Sequence, residues 1–166
     1  MSNYICKIAS LEEMNEKWDY EIEIATNKEN WIIWKMENLD YMQKGKIIPY
    51  YGILNGKIIS EATANIDSNI VQNSQGLVDN TTVYLSAFRT NKEYQGQGYF
   101  SKLFKYMIND LKEKGYKNAT VGVEPCEVKN MQIYFKYGFD KFIKADYETY
   151  PDGTKTLVLY YAKDLN

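Results

Sequence analysis

Two glycines stand between a predicted strand and a predicted helix, an arrangement that can hold phosphate. The segment Gln95-Gly96-Gln97-Gly98 follows an apolar run that ends at Arg89 and precedes apolar residues at helical spacing from Leu103. Glycine tolerates positive φ and lets a ligand approach the main chain, and N–H groups at a helix N-terminus attract anions. The Gly-Lys-Ser/Thr of P-loops and the third glycine of dinucleotide-binding loops are both missing. The residues alone leave two interpretations, a phosphate-binding loop or a tight turn without a ligand.

The composition excludes several classes of function. The chain contains no histidine, which removes the commonest metal ligand and the commonest general base. Zinc hydrolases and His-dependent nucleophiles are therefore excluded, and only Ser-Lys variants of the latter remain. A net charge of −2 and a pI near 5.3 give no basic footprint for nucleic acid, whereas an acidic surface is compatible with a cationic amine substrate.

The length of the chain, its composition and its cysteine content narrow the class of protein to which it can belong. With 166 residues, 45% of them hydrophobic and 25% charged, it is expected to fold as one domain over 1–166. Two cysteines are too few for a disulfide framework or a metal cluster, and Cys126 could be either a reactive thiol or a passive small side chain. Because no signal-peptide pattern and no membrane-length apolar run occur, we expect a cytoplasmic protein without a membrane partner.

Local signals predict the elements of the first half. Ser10 and Glu13 form a capping box ahead of a helix, and Thr26 and Glu29 form a second one. Asn55-Gly56 is the strongest signal of a two-residue hairpin turn. The predicted elements are a strand over 3–8, a helix after each capping box, and strands over 46–54 and 57–65. The polar residues 67–81 are expected to form a loop or a ragged strand extension.

In the second half, strands alternate with helices, and hairpins at both ends of the chain complete a mixed α/β sheet. Gly115 is typical of the residue that follows a helix, and Tyr150-Pro151-Asp152-Gly153 suits a turn between the last two strands. The predicted elements are strands over 82–89, 117–124, 142–149 and 155–162, and helices over 101–114 and 128–137.

Two motifs in register resemble those of the GNAT acetyltransferases. Residues 95–100 resemble motif A, Gln/Arg-x-x-Gly-x-Gly/Ala, and residues 134–139 resemble motif B, Tyr-x-x-x-Gly-Phe. The order, the spacing and the intervening strand near 119–124 also fit, so the resemblance is strong over the last half of the chain and holds in outline over the first. It implies the GNAT fold: a central, mostly antiparallel sheet with a splayed parallel pair, flanked by about four helices.

The resemblance implies acetyl-coenzyme A as the co-substrate and no metal. The main chain of Phe88 and Thr90 is expected to bind the pantetheine arm like an added strand, and one of these N–H groups to polarise the acetyl carbonyl. Asn130, one turn before the motif B tyrosine, is expected to face the cofactor, since Glu127 replaces the usual motif B asparagine. The pyrophosphate is expected on the N–H groups of Gln95, Gly96, Gln97, Gly98, Tyr99, Phe100 and Ser101, with Phe100 standing where the family prefers Gly or Ala.

Two proton transfers need side chains. Tyr134 matches the family's general acid, and a phenol with a pKa near ~10 stays protonated at neutral pH, although a packed aromatic is the alternative. Without histidine, a carboxylate or a water chain must deprotonate the acceptor ammonium. Glu61 is the first candidate base, because it shares a strand face with Ile59 and a partly buried carboxylate can have a raised pKa. Glu124 is the second, and for both a solvated surface acid is the alternative.

Three aromatic residues fall in the region that covers the acceptor site in GNAT proteins: Trp31, Trp34 and Tyr41. They could clamp a cation through cation–π contacts, or form an ordinary packing face of a helix.

The sequence thus predicts an acetyl-coenzyme A-dependent N-acetyltransferase that transfers acetyl directly to a primary amine of a small molecule or peptide. The alternative is a non-catalytic sensor or regulatory module that binds coenzyme A or its acyl forms. Nucleotide binding at the glycine loop fits less well, because no Mg²⁺-binding constellation accompanies it. The expected partners are acetyl-coenzyme A and a small amine, and a homodimer stays open.

Overall fold

The computed structural model describes residues 2–166 of the chain. Two short 3-10 helices lie in its loops, at Ser68–Ile70 and Lys92–Tyr94, and its main elements are seven strands and four α-helices. In chain order they are β1 (Tyr4–Ile8), α1 (Leu11–Ile24), α2 (Lys28–Gln43), β2 (Ile47–Leu54), β3 (Lys57–Asn65), β4 (Thr82–Thr90), α3 (Tyr99–Glu113), β5 (Asn118–Val123), α4 (Val128–Lys136), β6 (Lys141–Thr149) and β7 (Lys155–Asp164). Each predicted strand and helix is present, with ends within about two residues of the prediction in most cases.

The strands form one sheet in the order β1-β2-β3-β4-β5-β7-β6. The pairs β1/β2, β5/β7 and β6/β7 are antiparallel, whereas β4 and β5 run parallel. The predicted fold class is confirmed: a mixed sheet, mostly antiparallel with one parallel pair, accompanied by four helices.

The chain divides into two compact units. The first unit contains the residues up to Ala64 together with Ala87–Asp110, and the second contains Asn65–Ser86 and Leu111–Asn166. The expectation of a single domain over 1–166 stays a prediction. No helix within residues 2–166 is long and apolar enough to cross a membrane.

In the first unit, two of the three local signals, one helix cap and one hairpin turn, are present as predicted. The capping box is present, because the Glu13 N–H donates to Ser10 Oγ at 3.1 Å and the Ser10 N–H donates to the Glu13 carboxylate at 2.8 Å. Asn55 and Gly56 have φ values of 50° and 86°, as a type I′ hairpin turn requires. The predicted capping role of Thr26 is wrong, since α2 begins after Asn27.

A lysine closes the turn between the first two helices. The Lys28 ammonium donates to the carbonyls of Ile22 and Glu23 at 3.0 and 2.8 Å, in the last turn of α1. A cation at a helix C-terminus satisfies carbonyls that have no partner within the helix. This contact fixes where α2 starts, which the local capping pattern does not capture.

In the second unit, the loop predicted over 67–81 is present, but part of it belongs to the core. Leu77 and Val78 are buried with Val158 and Tyr160, and Tyr84 packs against them. A polar stretch with two apolar residues near its end therefore folds back over the sheet.

The same loop covers the outer edge of β6. The Gln72 side chain exchanges two hydrogen bonds with the Thr149 main chain, at 2.9 and 2.8 Å, and the Asn73 amide donates to the Tyr147 carbonyl at 2.9 Å. The Lys144 ammonium donates to the Asn73 and Gln75 carbonyls, each at 2.7 Å. An edge strand whose outer groups are bonded in this way is protected from pairing with another chain.

Candidate functional site

Strand β4 changes its backbone conformation near its end. Ala87 has a φ of 57°, in the left-handed region that residues with a Cβ seldom adopt. The parallel register with β5 runs from Thr82 opposite Asn118 to Leu85 opposite Val121, so the kink follows the paired stretch. A kink of this kind re-aims the backbone groups that come after it, here those of Phe88 and Thr90. The Thr90 carbonyl accepts a hydrogen bond from the Gln95 side chain at 2.9 Å, which ties the strand to the following loop.

The glycine loop is open on its outer side. Gly96 and Gly98 have φ values of 73° and 84°, and a Cβ built on either would meet no atom within 4 Å. The Gln97 side chain donates to the Glu93 carbonyl at 3.0 Å, and the Lys102 N–H donates to the Gly98 carbonyl at 3.3 Å. Helix α3 therefore starts at Tyr99, two residues earlier than predicted, and its first two residues lie within the motif A segment. Positive-φ glycines directly before a helix N-terminus suit an anion.

Phe100 has a packing role that accounts for its size. Its ring centre lies 5.2 Å from that of Phe88 and 6.4 Å from that of Phe104, so it packs the first turn of α3 against the end of β4. Its neighbour Tyr99 is held by its carbonyl, which accepts a hydrogen bond from the Tyr4 hydroxyl at 2.8 Å. Both contacts fix the start of α3, while the Ser101 side chain is exposed.

Glu61, the first candidate base, lies in a buried ion cluster of the first unit. The Arg89 Nε and Nη2 atoms donate to its two oxygens, each at 3.1 Å, and the Lys17 Nζ lies 3.6 Å away. Lys17 also contacts the Glu21 carboxylate at 2.8 Å and the Asn91 Oδ1 at 2.7 Å. A carboxylate with both oxygens bound by one guanidinium is poorly placed to take a proton from an amine. The geometry favours a positioning role for Glu61.

Of the aromatic residues expected to clamp a substrate cation, Trp31 already faces a cation of the protein. The Arg89 guanidinium lies 4.8 Å from the Trp31 ring centre and 5.3 Å from that of Trp18. Trp34 packs edge-on against Trp31 at 5.4 Å, and Tyr41 lies two residues before the end of α2. Sequence reasoning missed Arg89, although a cation in an otherwise apolar strand was a usable signal.

Tyr134 is a half-buried residue of α4 in the second unit. Its ring lies edge-on to that of Phe139 at 6.4 Å. Burial, with the neighbouring charge of Glu127, raises the pKa of the Tyr134 phenol to about 12. Asn130 is exposed, and its amide donates to the Glu127 carboxylate at 3.2 Å. The phenol is therefore protonated at neutral pH, as a proton donor must be.

Glu124, the second candidate base, is bound by three donors. The hydroxyls of Tyr150 and Thr156 donate to its Oε1 at 2.7 and 2.8 Å, and the exposed Cys126 thiol lies 3.7 Å from its Oε2. The hydrogen bonds from Tyr150 and Thr156 lower the pKa of Glu124 below its usual value. A carboxylate with a lowered pKa is a weak base at neutral pH and a stable negative charge.

Sequence reasoning missed a second carboxylate of this unit, Glu148 on β6. The Tyr160 hydroxyl donates to its Oε2 at 2.6 Å, and the Asn73 amide donates to the Tyr160 oxygen at 3.1 Å. Burial raises the pKa of Glu148. Several other residues of β6 are also polar, so nothing in the sequence distinguishes Glu148 from a surface acid.

Known proteins resemble this chain in both sequence and fold. The acetyltransferase (GNAT) family model matches residues 9–139. A [ribosomal protein bS18]-alanine N-acetyltransferase from Haemophilus ducreyi is 29% identical over 82 residues, which cover 49% of this chain and 55% of that protein. The chain thus matches about half the length of this curated relative.

Solved structures share the fold at low sequence identity. An N-acetyltransferase from Staphylococcus aureus Mu50 superposes with a TM-score of 0.70 at 19% identity, covering 99% of both chains. A putative acetyltransferase from Salmonella typhimurium, solved with its cofactor acetyl-CoA, has a TM-score of 0.66 at 15% identity and covers 99% of this chain and 95% of that one. Since the family model spans most of the sequence, the chain belongs to the GNAT family of acetyltransferases.

Proposed function

We propose that the protein is an acetyl-coenzyme A-dependent N-acetyltransferase that transfers acetyl directly to a primary amine of a small molecule or peptide. The observation that carries this proposal is the open loop with Gly96 and Gly98 at positive φ, between a kinked strand and the start of α3. Membership of the GNAT family supports it, as does the related fold that was solved with acetyl-CoA.

In this proposal the main chain provides most of the cofactor site. The N–H groups from Gln95 to Ser101 hold the pyrophosphate, because they surround a helix N-terminus and the space beside the two glycines is open. The backbone of Phe88 and Thr90, re-aimed by the Ala87 kink, pairs with the pantetheine arm. Asn130 is the side chain proposed to add a polar contact to the cofactor.

Tyr134 supplies the proton that the departing coenzyme A thiolate needs. Its pKa of about 12 keeps the phenol protonated at neutral pH, so the proton is present when the carbon–sulfur bond breaks. The side chain of Glu61 holds Arg89 against Trp31, since both of its oxygens accept from the guanidinium. The role of Glu61 as general base stays a prediction that mutagenesis can test.

The acceptor is an amine, and one candidate follows from a relative. The Haemophilus ducreyi protein is named for acetylating the alanine of a ribosomal protein. A peptide with an N-terminal alanine is therefore the first acceptor to test, beside ethylamine and spermidine as small amines of different charge.

Two measurements test the proposal. Calorimetry with EDTA present is expected to detect acetyl-CoA binding, and a thiol assay is expected to detect coenzyme A release that depends on one of the three amines. Binding without amine-dependent release would instead support the non-catalytic sensor. Undetectable binding at millimolar acetyl-CoA would contradict both.

A further inference from the structure

We propose that Glu148 is the general base that takes a proton from the acceptor ammonium, and that the Tyr160 hydroxyl positions it for this task. The inference rests on the proposed N-acetyltransferase function and assigns the deprotonation of the acceptor to Glu148 in place of Glu61, whose two oxygens are bound by Arg89. All of the groups that support it lie in the second unit.

The β6–β7 hairpin sets the position of Glu148. In the antiparallel register Glu148 lies opposite Thr156, and residues two apart along a strand share a face. Glu148 is therefore on the face that carries the buried side chains of Val158 and Tyr160. Asp146 lies opposite Val158 and shares this face, but it is exposed, whereas Glu148 is half-buried.

The hydrogen bonds of Glu148 leave one oxygen for a substrate. Tyr160 donates to Oε2 at 2.6 Å, and because the Asn73 amide donates to the same phenol at 3.1 Å, the Tyr160 hydrogen is directed at the carboxylate. No other hydrogen bond and no ion pair to Glu148 is found among residues 2–166. Its Oε1 can accordingly accept a proton, unlike the oxygens of Glu61.

Charged and titratable groups surround this carboxylate from several elements. Glu124 approaches it from the end of β5, Tyr160 from β7 and Tyr84 from β4. On its own strand, Asp146 is exposed, while the Lys144 ammonium is bound by the carbonyls of Asn73 and Gln75 and lies 5.9 Å from the Tyr160 ring centre. Burial raises the pKa of Glu148, the Tyr160 hydrogen bond lowers it in part, and the Glu124 charge raises it further.

The pKa values of the carboxylates Glu124 and Glu148 are thus shifted in opposite directions. Glu124 has a lowered pKa and Glu148 a raised one. Such a separation is typical of sites in which one acid stays charged and the other exchanges a proton. Here Glu124 remains anionic and favours a cationic substrate, while Glu148 is the better proton acceptor near neutral pH.

The pKa of Tyr84 depends on both the proposed base and the proposed acid. Its hydroxyl lies so close to the main chain of Gly122 that a Cβ there would come within 2.6 Å of it, and burial raises its pKa well above the usual value. Glu148, Tyr160 and Tyr134 each raise it further through their charges. The charge states of the base on β6 and of the acid on α4 therefore both influence the pKa of this phenol.

Glu148 and Tyr134 together account for each proton that moves during acetyl transfer. An N–H bond of the acceptor ammonium breaks and its proton goes to Glu148 Oε1, which frees the nitrogen lone pair. The nitrogen bonds to the acetyl carbon, the carbon–sulfur bond breaks, and Tyr134 gives its proton to the thiolate. The nitrogen loses a second proton, which restores the Tyr134 phenol, and Glu148 releases its proton to water. The net products are the amide, coenzyme A and one proton.

The test compares Glu148→Gln with the native protein, using ethylamine, spermidine and the alanine peptide as acceptors. We expect kcat at saturation to fall by about 10²–10⁴ and the acid limb of its pH profile to disappear, while acetyl-CoA affinity is unchanged. With trifluoroethylamine, which is largely neutral at the assay pH, Glu148→Gln should act at close to the native rate. Asp146→Asn, two residues away and exposed, is the matched control and should leave rate and profile unchanged.

A second variant keeps the proposal testable if Glu148→Gln folds poorly. Tyr160→Phe removes the hydrogen bond that lowers the pKa of Glu148, so the acid limb should move to higher pH. A native acid limb in both variants would overturn the role of Glu148 and leave the proposed function intact. A native protein that binds acetyl-CoA but acetylates none of the four amines would overturn the proposed function, and with it this inference.

Discussion

The phenol of Tyr134 is suited to donating a proton over a wide pH range. We expect Tyr134→Phe to lower kcat by about 10²–10⁴, because the ring stays and only the acidic hydrogen is lost. Since burial and Glu127 raise its pKa to about 12, the native enzyme should keep its proton donor up to roughly pH 10. Steady-state rates with ethylamine from pH 6 to about 10 measure both effects.

The control for this change is Tyr147→Phe, which removes a hydroxyl from an exposed tyrosine of the same unit. It should leave kcat unchanged. A Tyr134→Phe protein with a lower melting temperature and near-native turnover would assign the residue to packing, where losing one hydrogen bond costs about 1 kcal/mol.

The carboxylate of Glu61 is expected to matter for stability more than for proton transfer. Replacing it by Gln leaves Arg89 and Lys17 with Glu21 as their remaining anion, in a cluster where the side chains of Lys17 and Glu61 are 1% and 3% exposed. Breaking a buried ion pair in this way destabilises proteins by roughly 3–5 kcal/mol. Urea unfolding should show this loss, and the acid limb of kcat should stay in place.

Glu93→Gln is the matched control, because its ion pair with Lys57 is half exposed on both sides. It should hardly change the midpoint of unfolding, since exposed pairs contribute little. A Glu61→Gln protein of native stability whose acid limb is gone would return the role of general base to Glu61.

At the scale of elements, the turn before α3 is expected to bind through its glycines. Gly98→Ala places a methyl group where the pyrophosphate is expected, and acetyl-CoA affinity should fall by roughly tenfold or more. The φ of 84° also strains any residue with a Cβ, which costs about 1–2 kcal/mol of stability. Calorimetry and thermal unfolding separate the two effects.

Gly115→Ala is the matched control, because it introduces similar backbone strain away from the proposed pyrophosphate site. Gly115 follows α3 with a φ of 93°, and a Cβ there would also meet nothing within 4 Å. Both variants should lose similar stability, and only Gly98→Ala should lose affinity. Equal affinities in the two variants would mean that the glycine loop does not hold the pyrophosphate.

Elements whose signals lie within a few residues were predictable from the sequence. The Ser10 capping box and the Asn55-Gly56 turn depend on atoms three or fewer residues apart, and both are present as predicted. The second capping site failed at Thr26 because Lys28 fixes the start of α2 through carbonyls five and six residues earlier. Motif A was likewise a local pattern, and it lies on the predicted strand–loop–helix unit.

The partners of the candidate side chains were not predictable, because folding brings them together from distant positions. Arg89 binds Glu61 from 28 residues away, and Asn73 orients Tyr160 from 87 residues away. The sequence marks Glu61 and Glu148 simply as acids in strands. Their difference, one bound by two cations and the other by a single phenol, arises only when the strands are assembled.

At the scale of the whole molecule, the two compact units raise the question of whether the chain unfolds as one domain. The boundary between the units divides strand β4 after Ser86 and helix α3 after Asp110. Strand β4 and helix α3 therefore each begin in one unit and end in the other, so the units share two elements. We expect a single cooperative transition in urea, as is usual for domains below about 150 residues and common slightly above that length.

The aromatic residues allow this prediction to be tested without mutation. The three tryptophans, Trp18, Trp31 and Trp34, all lie in the first unit, so tryptophan fluorescence reports on that unit alone. Far-UV circular dichroism reports on the helices and strands of both. Coincident urea midpoints and slopes from the two probes would support one domain over 1–166, because a shared transition requires both units to unfold together. A fluorescence transition separate from the dichroism transition would instead mean that the first unit unfolds on its own.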